Sequence, residues 1–118
     1  MSNYKETRPW GNFENLLEED SCKVKKISIS PKQAPSYQYH FKRSEVWVVT
    51  QGTGELKQDG EIKLIKHGDV LIIPKQSKHQ IKNTGAEDLI FIEVQLGEYF
   101  GEDDIVRLED NYNRSRKF

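Results

Sequence analysis

The 118-residue sequence contains one cysteine, four prolines and no long run of apolar residues. A single thiol, Cys22, cannot form an intramolecular disulfide, so we expect a reducing, cytoplasmic location rather than that of a disulfide-stabilised secreted domain. No stretch approaches the roughly 20 apolar residues that span a bilayer, and the N-terminus lacks the apolar segment of a signal peptide. We therefore expect neither a membrane-spanning segment nor a leader.

An excess of charge of either sign is also lacking. The sequence has 19 acidic and 18 basic residues, which gives a net charge of -1. This balance does not favour nucleic acid or an anionic membrane as a partner. The length suits one domain with a hydrophobic core. We predict a single domain over residues 1–118, with residues 1–7 and 115–118 flexible.

Helical periodicity is scarce, and short apolar-polar alternations replace it. They recur with turn signals about every 8–12 residues, which is typical of an all-β sandwich or barrel. Asp59-Gly60 is a strong signal for a two-residue hairpin turn. The alternation changes phase at Lys25-Lys26, which suggests a bulge. Residues 103–110 are expected to form one helical turn.

Four polar residues fall at spacings that suit a joint site: Gln38, His40, Glu45 and His79. Gln38 and His40 are two apart and would share one strand face. A hairpin would return Glu45 to the side of His40, and His79 begins a strand in a second hairpin. Each residue alone is more often structural, and Glu45 could be a surface charge. Their joint spacing favours one metal site.

The residue types restrict the ion. Two imidazoles, one carboxylate and one amide oxygen favour Zn, Mn, Fe, Co or Ni over Ca or Mg. Such an ion could polarise a carbonyl or hydroxyl group of a substrate. We therefore predict one divalent metal ion as the cofactor.

Two motifs carry a wider resemblance. The first contains His40, Glu45 and Gly52, and the second contains Gly68, Pro74, His79 and Asn83. Their spacings resemble the paired motifs of the cupin superfamily, with Gln38 standing where many cupins have histidine. The resemblance implies a single-domain cupin, which is a double-stranded β-helix or jelly-roll barrel.

A narrower resemblance extends over residues 8–11, 37–40, 43–47, 93–97 and 101–112. These segments resemble type II phosphomannose isomerases, specifically the C-terminal cupin domain of bifunctional isomerase/mannose-1-phosphate guanylyltransferases. The resemblance implies metal-dependent conversion of mannose 6-phosphate to fructose 6-phosphate through a cis-enediol. It also implies a homodimer. No Gly-rich phosphate loop occurs, so guanylyl transfer is not expected.

Phe41, Lys42 and Val46 stand where that family often has histidines, which removes possible acid/base groups. Two alternatives therefore stay open. One is an epimerase or ketoisomerase that acts on another sugar phosphate or a nucleotide sugar. The other is a non-catalytic, metal-containing cupin that binds sugar.

Catalytic candidates are Lys42, Arg43 and Glu93. Lys42 or Glu93 would be the base, and Arg43 would bind phosphate or steady the enediolate. Glu93 could equally lie on a solvated face, and Arg43 could be a surface ion-pair partner. Four further residues are candidates for substrate binding: Arg8 and Arg107 for phosphate, and Trp10 and Tyr37 for packing against the sugar, although aromatic residues are more often core.

Overall fold

The computed structural model describes residues 4–109, which form eleven β-strands and no helix. The strands are β1 Lys5–Arg8, β2 Gly11–Glu18, β3 Cys22–Ile29, β4 Tyr37–Tyr39, β5 Arg43–Gln51, β6 Thr53–Gln58, β7 Glu61–Lys66, β8 Val70–Ile73, β9 His79–Asn83, β10 Leu89–Gly97 and β11 Val106–Glu109. Among these residues there is accordingly no apolar helix of membrane-spanning length. The predicted all-β class is confirmed.

The strands form two antiparallel sheets. One sheet has six strands in the order β1-β2-β3-β10-β5-β8, and the other has five in the order β11-β4-β9-β6-β7. The core lies between them and includes Ile29, Leu56 and Leu89, which are fully buried. Because side chains alternate along a strand, each sheet contributes every second residue to this interior. The same alternation directs polar side chains inward at one end.

The Asp59-Gly60 turn connects β6 and β7 as predicted. Both residues have positive φ, 48° and 88° respectively. Positive φ at both central positions defines the type I′ turn, whose twist matches the two flanking strands. Gln58 and Glu61 consequently pair across the hairpin. This local prediction is confirmed.

The predicted hairpin between the Gln38 strand and the Glu45 strand is wrong. Strand β4 pairs with β9 and β11, whereas β5 pairs with β8 and β10 in the other sheet. The chain crosses between the sheets at Phe41 and Lys42, whose backbone N–H groups donate to the Asp104 carboxylate at 3.0 and 2.9 Å. These hydrogen bonds take the place of a hairpin ladder.

Two terminal segments also differ from expectation. Lys5–Arg8, which overlaps the segment 1–7 expected to be flexible, forms β1 and pairs with β2. Val106–Glu109 forms β11 against β4 instead of a helical turn, because the edge of the five-stranded sheet supplies backbone partners. Residues 1–3 and 110–118, which include the predicted flexible 115–118, lie outside the described residues, and the single-domain boundary stays a prediction.

The bulge expected at Lys25-Lys26 lies on the neighbouring strand. Strand β3 pairs with β10 without a shift, and the register instead shifts between Asn15 and Leu17 of β2. Lys25 is therefore buried while Lys26 is exposed. The apparent phase change reflects an inward-facing lysine.

Asn83 joins three connections at one end of the interior. Its amide nitrogen donates to the carbonyls of Ile29 and Glu87, both at 2.8 Å, and its oxygen accepts from Gly85 N–H at 2.8 Å. Asn83 is fully buried. A buried amide that is satisfied by backbone groups fixes those loops relative to β9.

Candidate metal centre and its cavity

A cavity of about 120 Å³ lies between the two sheets. Nine of the residues that the sequence singled out line it: Arg8, Trp10, Gln38, His40, Arg43, Glu45, His79, Glu93 and Arg107. The folding of two sheets onto each other therefore gathers residues that are far apart in sequence.

His40, Glu45 and His79 form the centre of this cavity. One potential ligand atom from each lies within 4.8 Å of the other two, and all three residues are buried. Glu45 comes from β5 of the six-stranded sheet, whereas His79 comes from β9 and His40 follows β4 in the five-stranded sheet. Two imidazoles and one carboxylate are a usual donor set for a divalent transition metal, so these residues fit such an ion.

The second nitrogen of each imidazole is held by a backbone carbonyl. His40 Nδ1 lies 2.5 Å from the Asp104 carbonyl oxygen, and His79 Nδ1 lies 2.9 Å from that of Ser77. A carbonyl can only accept, so Nδ1 carries the proton in both rings and Nε2 keeps its lone pair. This outer support is what orients ligand histidines in metal sites.

Burial keeps both rings neutral. It lowers the pKa of His40 to about 4, although the nearby Glu45 opposes this shift. Burial also lowers the pKa of His79, again against the Glu45 charge. Neutral imidazole is the form that ligates a metal.

Glu45 is ionised for a different reason. Burial raises its pKa, but the Arg43 guanidinium and the two histidines outweigh this and lower the pKa to about 2. Arg43 Nε donates to Glu45 Oε2 at 2.7 Å, and Trp47 Nε1 donates to Oε1 at 2.9 Å. The carboxylate is thus held as an anion inside the barrel.

Arg43 belongs to the same cluster. Only 7% of its surface is exposed, and its Nη2 lies 3.3 Å from His40 Nε2. Burial lowers its pKa, but the carboxylates of Glu45, Glu93 and Glu102 outweigh this effect and raise the pKa above its usual value, so the guanidinium is charged. The alternative of a surface ion-pair partner does not hold for Arg43.

Gln38 faces the cavity from β4 and pairs in register with His79. Its amide nitrogen donates to Ser36 Oγ at 3.1 Å. With the nitrogen so placed, the amide oxygen is the atom suited to ligate an ion. Its assignment as fourth ligand stays a prediction.

Glu93 lies on the inner face of β10, not on a solvated face. It is 6% exposed, and Gln95 Nε2 donates to its Oε1 at 2.5 Å. Burial and the neighbouring Glu45 charge raise its pKa to about 7, and Arg43 and Lys25 oppose the shift. Glu45 and Glu93 are thus two buried carboxyl groups whose pKa values are pushed apart.

Two predicted site residues do not line the cavity. Lys42 is exposed, and its Nζ lies 5.0 Å from the centre of the Tyr99 ring. Tyr37 precedes Gln38 on β4 and so faces the opposite way, where Lys57 Nζ lies 4.5 Å from its ring. Neither side chain is placed to act on a ligand in this cavity.

Sequence reasoning missed two charged residues of the cavity, Lys25 and Glu102. Lys25 is 3% exposed, and its Nζ lies 2.9 Å from Glu102 Oε2. Lys25 shares its parity on β3 with Ile27 and Ile29, which are buried. That parity was the available signal for Lys25, whereas no local pattern identified Glu102.

Comparisons with known proteins agree with this architecture. Residues 2–110 match the family described as mannose-6-phosphate isomerase C-terminal. The chain is 40% identical over 107 residues to an Escherichia coli (strain K12) mannose-1-phosphate guanylyltransferase, covering 91% of this chain and 22% of that protein. It is 42% identical over 108 residues to the alginate biosynthesis protein AlgA of Pseudomonas fluorescens, covering 92% of this chain and 22% of that protein.

A solved structure gives the fold independently. A Klebsiella pneumoniae protein with a double-stranded β-helix domain superposes with a TM-score of 0.72 at 26% identity, covering 81% of this chain and 77% of that chain. The jelly-roll architecture expected from the cupin resemblance is confirmed.

The comparisons correct the predicted function. Conversion of mannose 6-phosphate to fructose 6-phosphate was predicted for this chain, but the E. coli relative is named for guanylyl transfer. The chain spans only about 22% of the length of that relative, so the whole relative's named activity is not assigned to this chain either. The chain belongs to the mannose-6-phosphate isomerase C-terminal family, and its fold is that of a cupin.

Proposed function

We propose that this chain is a metal-dependent cupin domain of mannose metabolism and nucleotide-sugar biosynthesis that binds a phosphorylated sugar. The carrying observation is the buried His40, Glu45 and His79 cluster, whose ligand atoms lie within 4.8 Å of one another. The names of the E. coli and Pseudomonas relatives support the pathway. The expected cytoplasmic location accords with such a pathway and stays part of the proposal.

The proposed ion is Zn, Mn, Co, Ni or Fe. His40, Glu45 and His79 would hold it, with Gln38 as a fourth ligand on the same cavity wall. When bound, it would supply Lewis acidity toward a sugar hydroxyl or carbonyl oxygen. The buried Arg43 guanidinium keeps Glu45 ionised for this purpose.

The cations of the cavity suit a phosphate group. Arg8, Arg43 and Arg107 all line it, and guanidinium groups bind phosphate through paired N–H donors. Trp10 lines the same cavity and offers an aromatic surface to a sugar ring. These residues would orient the ligand relative to Glu93.

Glu93 supports proton transfer as the reaction class. A carboxyl group with a pKa of about 7 can either hold or accept a proton near neutral pH. Gln95 fixes one Glu93 oxygen by a hydrogen bond of 2.5 Å. We propose that Glu93 exchanges a proton with the bound sugar while Glu45 stays ionised. The proposal does not take mannose 6-phosphate as the substrate.

The test uses metal-loaded protein in deuterated water with a panel of hexose phosphates and the corresponding free hexoses. We expect binding that requires the phosphate group and is strengthened by the ion, and deuterium incorporation observed by NMR. Glu93→Gln should retain binding and abolish exchange, whereas Glu61→Gln, at the exposed first position of β7, should change neither. Failure to bind any hexose phosphate would refute the function, and binding without exchange would remove its catalytic part.

A homodimer is the proposed assembly. Aliphatic residues form a row across the outer face of the six-stranded sheet, where each pairs in register with the next: Leu17, Val24, Val94, Val46 and Ile72. Leu17 and Ile72 at the two ends of this outer apolar row are 46% and 66% exposed. A second copy that covers the row would remove this apolar area from water.

A further inference from the structure

One oxygen of Glu102 lies between two buried cations of the cavity. Glu102 Oε2 is 2.9 Å from Lys25 Nζ and 3.8 Å from Arg43 Nη1. The side chains of the two cations are 4% and 7% exposed, whereas that of Glu102 is 47% exposed. The cations therefore belong to the interior, and the carboxylate reaches them from the solvent side.

The two buried cations need an anion at this position, but a bound ligand could supply it in place of Glu102. A buried ammonium group requires a counter-charge, because its desolvation is costly. Lys25 Nζ also lies 4.2 Å from the centre of the Phe13 ring, and its charge lowers the pKa of Glu93 against the effect of burial. The buried Nη1 of Arg43 has no hydrogen-bond partner among the described residues. Together they leave donors that a larger oxyanion with several oxygens would satisfy better than one carboxylate oxygen does.

The Glu102 side chain can leave without loss of its loop. The connection between β10 and β11 is anchored at Asp104, whose carboxylate accepts from Phe41 and Lys42 N–H. Glu102 lies two residues earlier in a turn. Rotation of its exposed side chain would thus open the cavity while the anchor stays in place.

The cavity is small for a sugar phosphate unless a side chain that lines it moves. About 120 Å³ is available, whereas small-molecule sites usually have roughly 300–1,000 Å³. A hexose phosphate therefore needs a displaced side chain, and the half-exposed Glu102 is the carboxylate that a phosphate group can replace at equal sign of charge.

We infer that Lys25 and Arg43 form an oxyanion subsite that Glu102 occupies until the phosphate of a ligand displaces it. The inference rests on the proposed function for the identity of the ligand, a phosphorylated sugar. Arg43 also contacts the candidate ligand Glu45, but Lys25 and Glu102 are not among the candidate ligands, so the subsite can be tested without metal. Lys25 is then a phosphate-binding residue, and the Glu102 carboxylate competes with the ligand's phosphate group for the same two cations.

The first experiment titrates inorganic phosphate into chelator-treated, metal-free protein and follows binding by calorimetry and ³¹P NMR. Glu102→Gln should bind phosphate about tenfold more tightly, which corresponds to about 1.4 kcal/mol. Lys25→Gln should bind it at least about tenfold more weakly, and Lys25→Arg should retain binding because it keeps the charge.

Two matched controls separate this site from general electrostatics. Glu98→Gln is the control for Glu102→Gln, because it removes a negative charge from an exposed position of the same connection. Lys26→Gln is the control for Lys25→Gln, because it removes a positive charge from the outer face of β3. Both should leave phosphate affinity within about twofold of the parent protein, since screening weakens exposed charges at a distance.

Equal or weaker phosphate binding by Glu102→Gln would overturn the inference, as would an equal gain in Glu98→Gln. Unchanged or weaker binding by Glu102→Gln would mean that the Lys25–Glu102 pair only anchors the connection between β10 and β11. If Lys25→Gln fails to fold in a thermal melt, the Glu102→Gln comparison still decides.

A second measurement separates this inference from the proposed function. Metal-loaded parent and Glu102→Gln proteins are titrated with hexose phosphates and free hexoses. A gain restricted to the phosphorylated sugars supports the subsite. Sugar-phosphate binding without any gain refutes the subsite and leaves the proposed function intact, whereas a gain with inorganic phosphate alone refutes only the proposed ligand.

Discussion

The indole nitrogen of Trp47 donates a 2.9 Å hydrogen bond to the Glu45 carboxylate, and its ring lies edge-on to His79 with ring centres 5.6 Å apart. One aromatic side chain therefore contacts two of the three candidate metal ligands. This contact makes Trp47 an intrinsic reporter of the centre, because a change at either ligand alters the surroundings of its indole ring.

Addition of Mn²⁺ or Zn²⁺ to chelator-treated protein is expected to change tryptophan emission with a one-to-one stoichiometry. Glu45→Gln should weaken metal binding by at least about 100-fold, since loss of outer support alone costs roughly 10–100-fold. Elemental analysis after dialysis gives the bound metal, and Glu61→Gln serves as the exposed control. Unchanged metal content in Glu45→Gln would exclude Glu45 as a ligand.

Glu93→Gln is expected to change the pH dependence of stability. The raised folded-state pKa of Glu93, about 7, means that the native state binds more protons than the unfolded chain between about pH 4.5 and 7. Glu93 therefore lowers stability as pH rises through this window. The variant should gain up to about 3 kcal/mol relative to the parent protein between pH 5 and 8.

Urea unfolding of the metal-free proteins at pH 5 and 8 measures this difference. Glu55→Gln provides a carboxylate-to-amide control on a different strand. A pH-independent difference between Glu93→Gln and the parent would show that Glu93 titrates normally.

Asn83→Ala is expected to lower the free energy of unfolding by about 2–4 kcal/mol, because the Ile29 and Glu87 carbonyls and Gly85 N–H would lose their buried partner. Lys82→Ala, at an exposed position on the same strand, should cost less than about 0.5 kcal/mol. Chemical denaturation of both variants gives the comparison. Similar costs for the two would contradict the structural role assigned to Asn83.

Ile72→Lys should dissociate the proposed homodimer, because it places a charge at the end of the outer apolar row. Ile62→Lys is the matched control, since Ile62 is 64% exposed on β7 of the other sheet. Sedimentation at several concentrations measures the assembly. A parent protein that sediments as a monomer throughout would refute the homodimer.

Local signals predicted much of this fold. The Asp59-Gly60 turn requires only two residues with positive φ, and the strand alternation requires only a period of two. The spacing of His40, Glu45 and His79 likewise indicated a shared site, which the structure gathers within 4.8 Å. The turn and the alternation are encoded within short segments, whereas the three site residues combine two motifs that are far apart in the sequence.

Partnerships between distant segments could not be predicted in the same way. The placement of β4 and β5 in different sheets depends on Asp104, more than sixty residues beyond the crossing at Phe41 and Lys42. The burial of Lys25 could not be predicted from the apolar pattern, because its counter-charge, Glu102, lies 77 residues away. The raised pKa of Glu93 likewise results from burial and a charge on a neighbouring strand.

Since Glu45 comes from one sheet and His40 and His79 come from the other, an ion at this centre would cross-link the two sheets of the barrel. A shift of one sheet against the other would then release the ion, even if none of its ligand residues were substituted. Substitutions in the apolar packing beside the centre, such as at Phe91 against Trp47, would therefore cause loss of metal before any loss of overall shape.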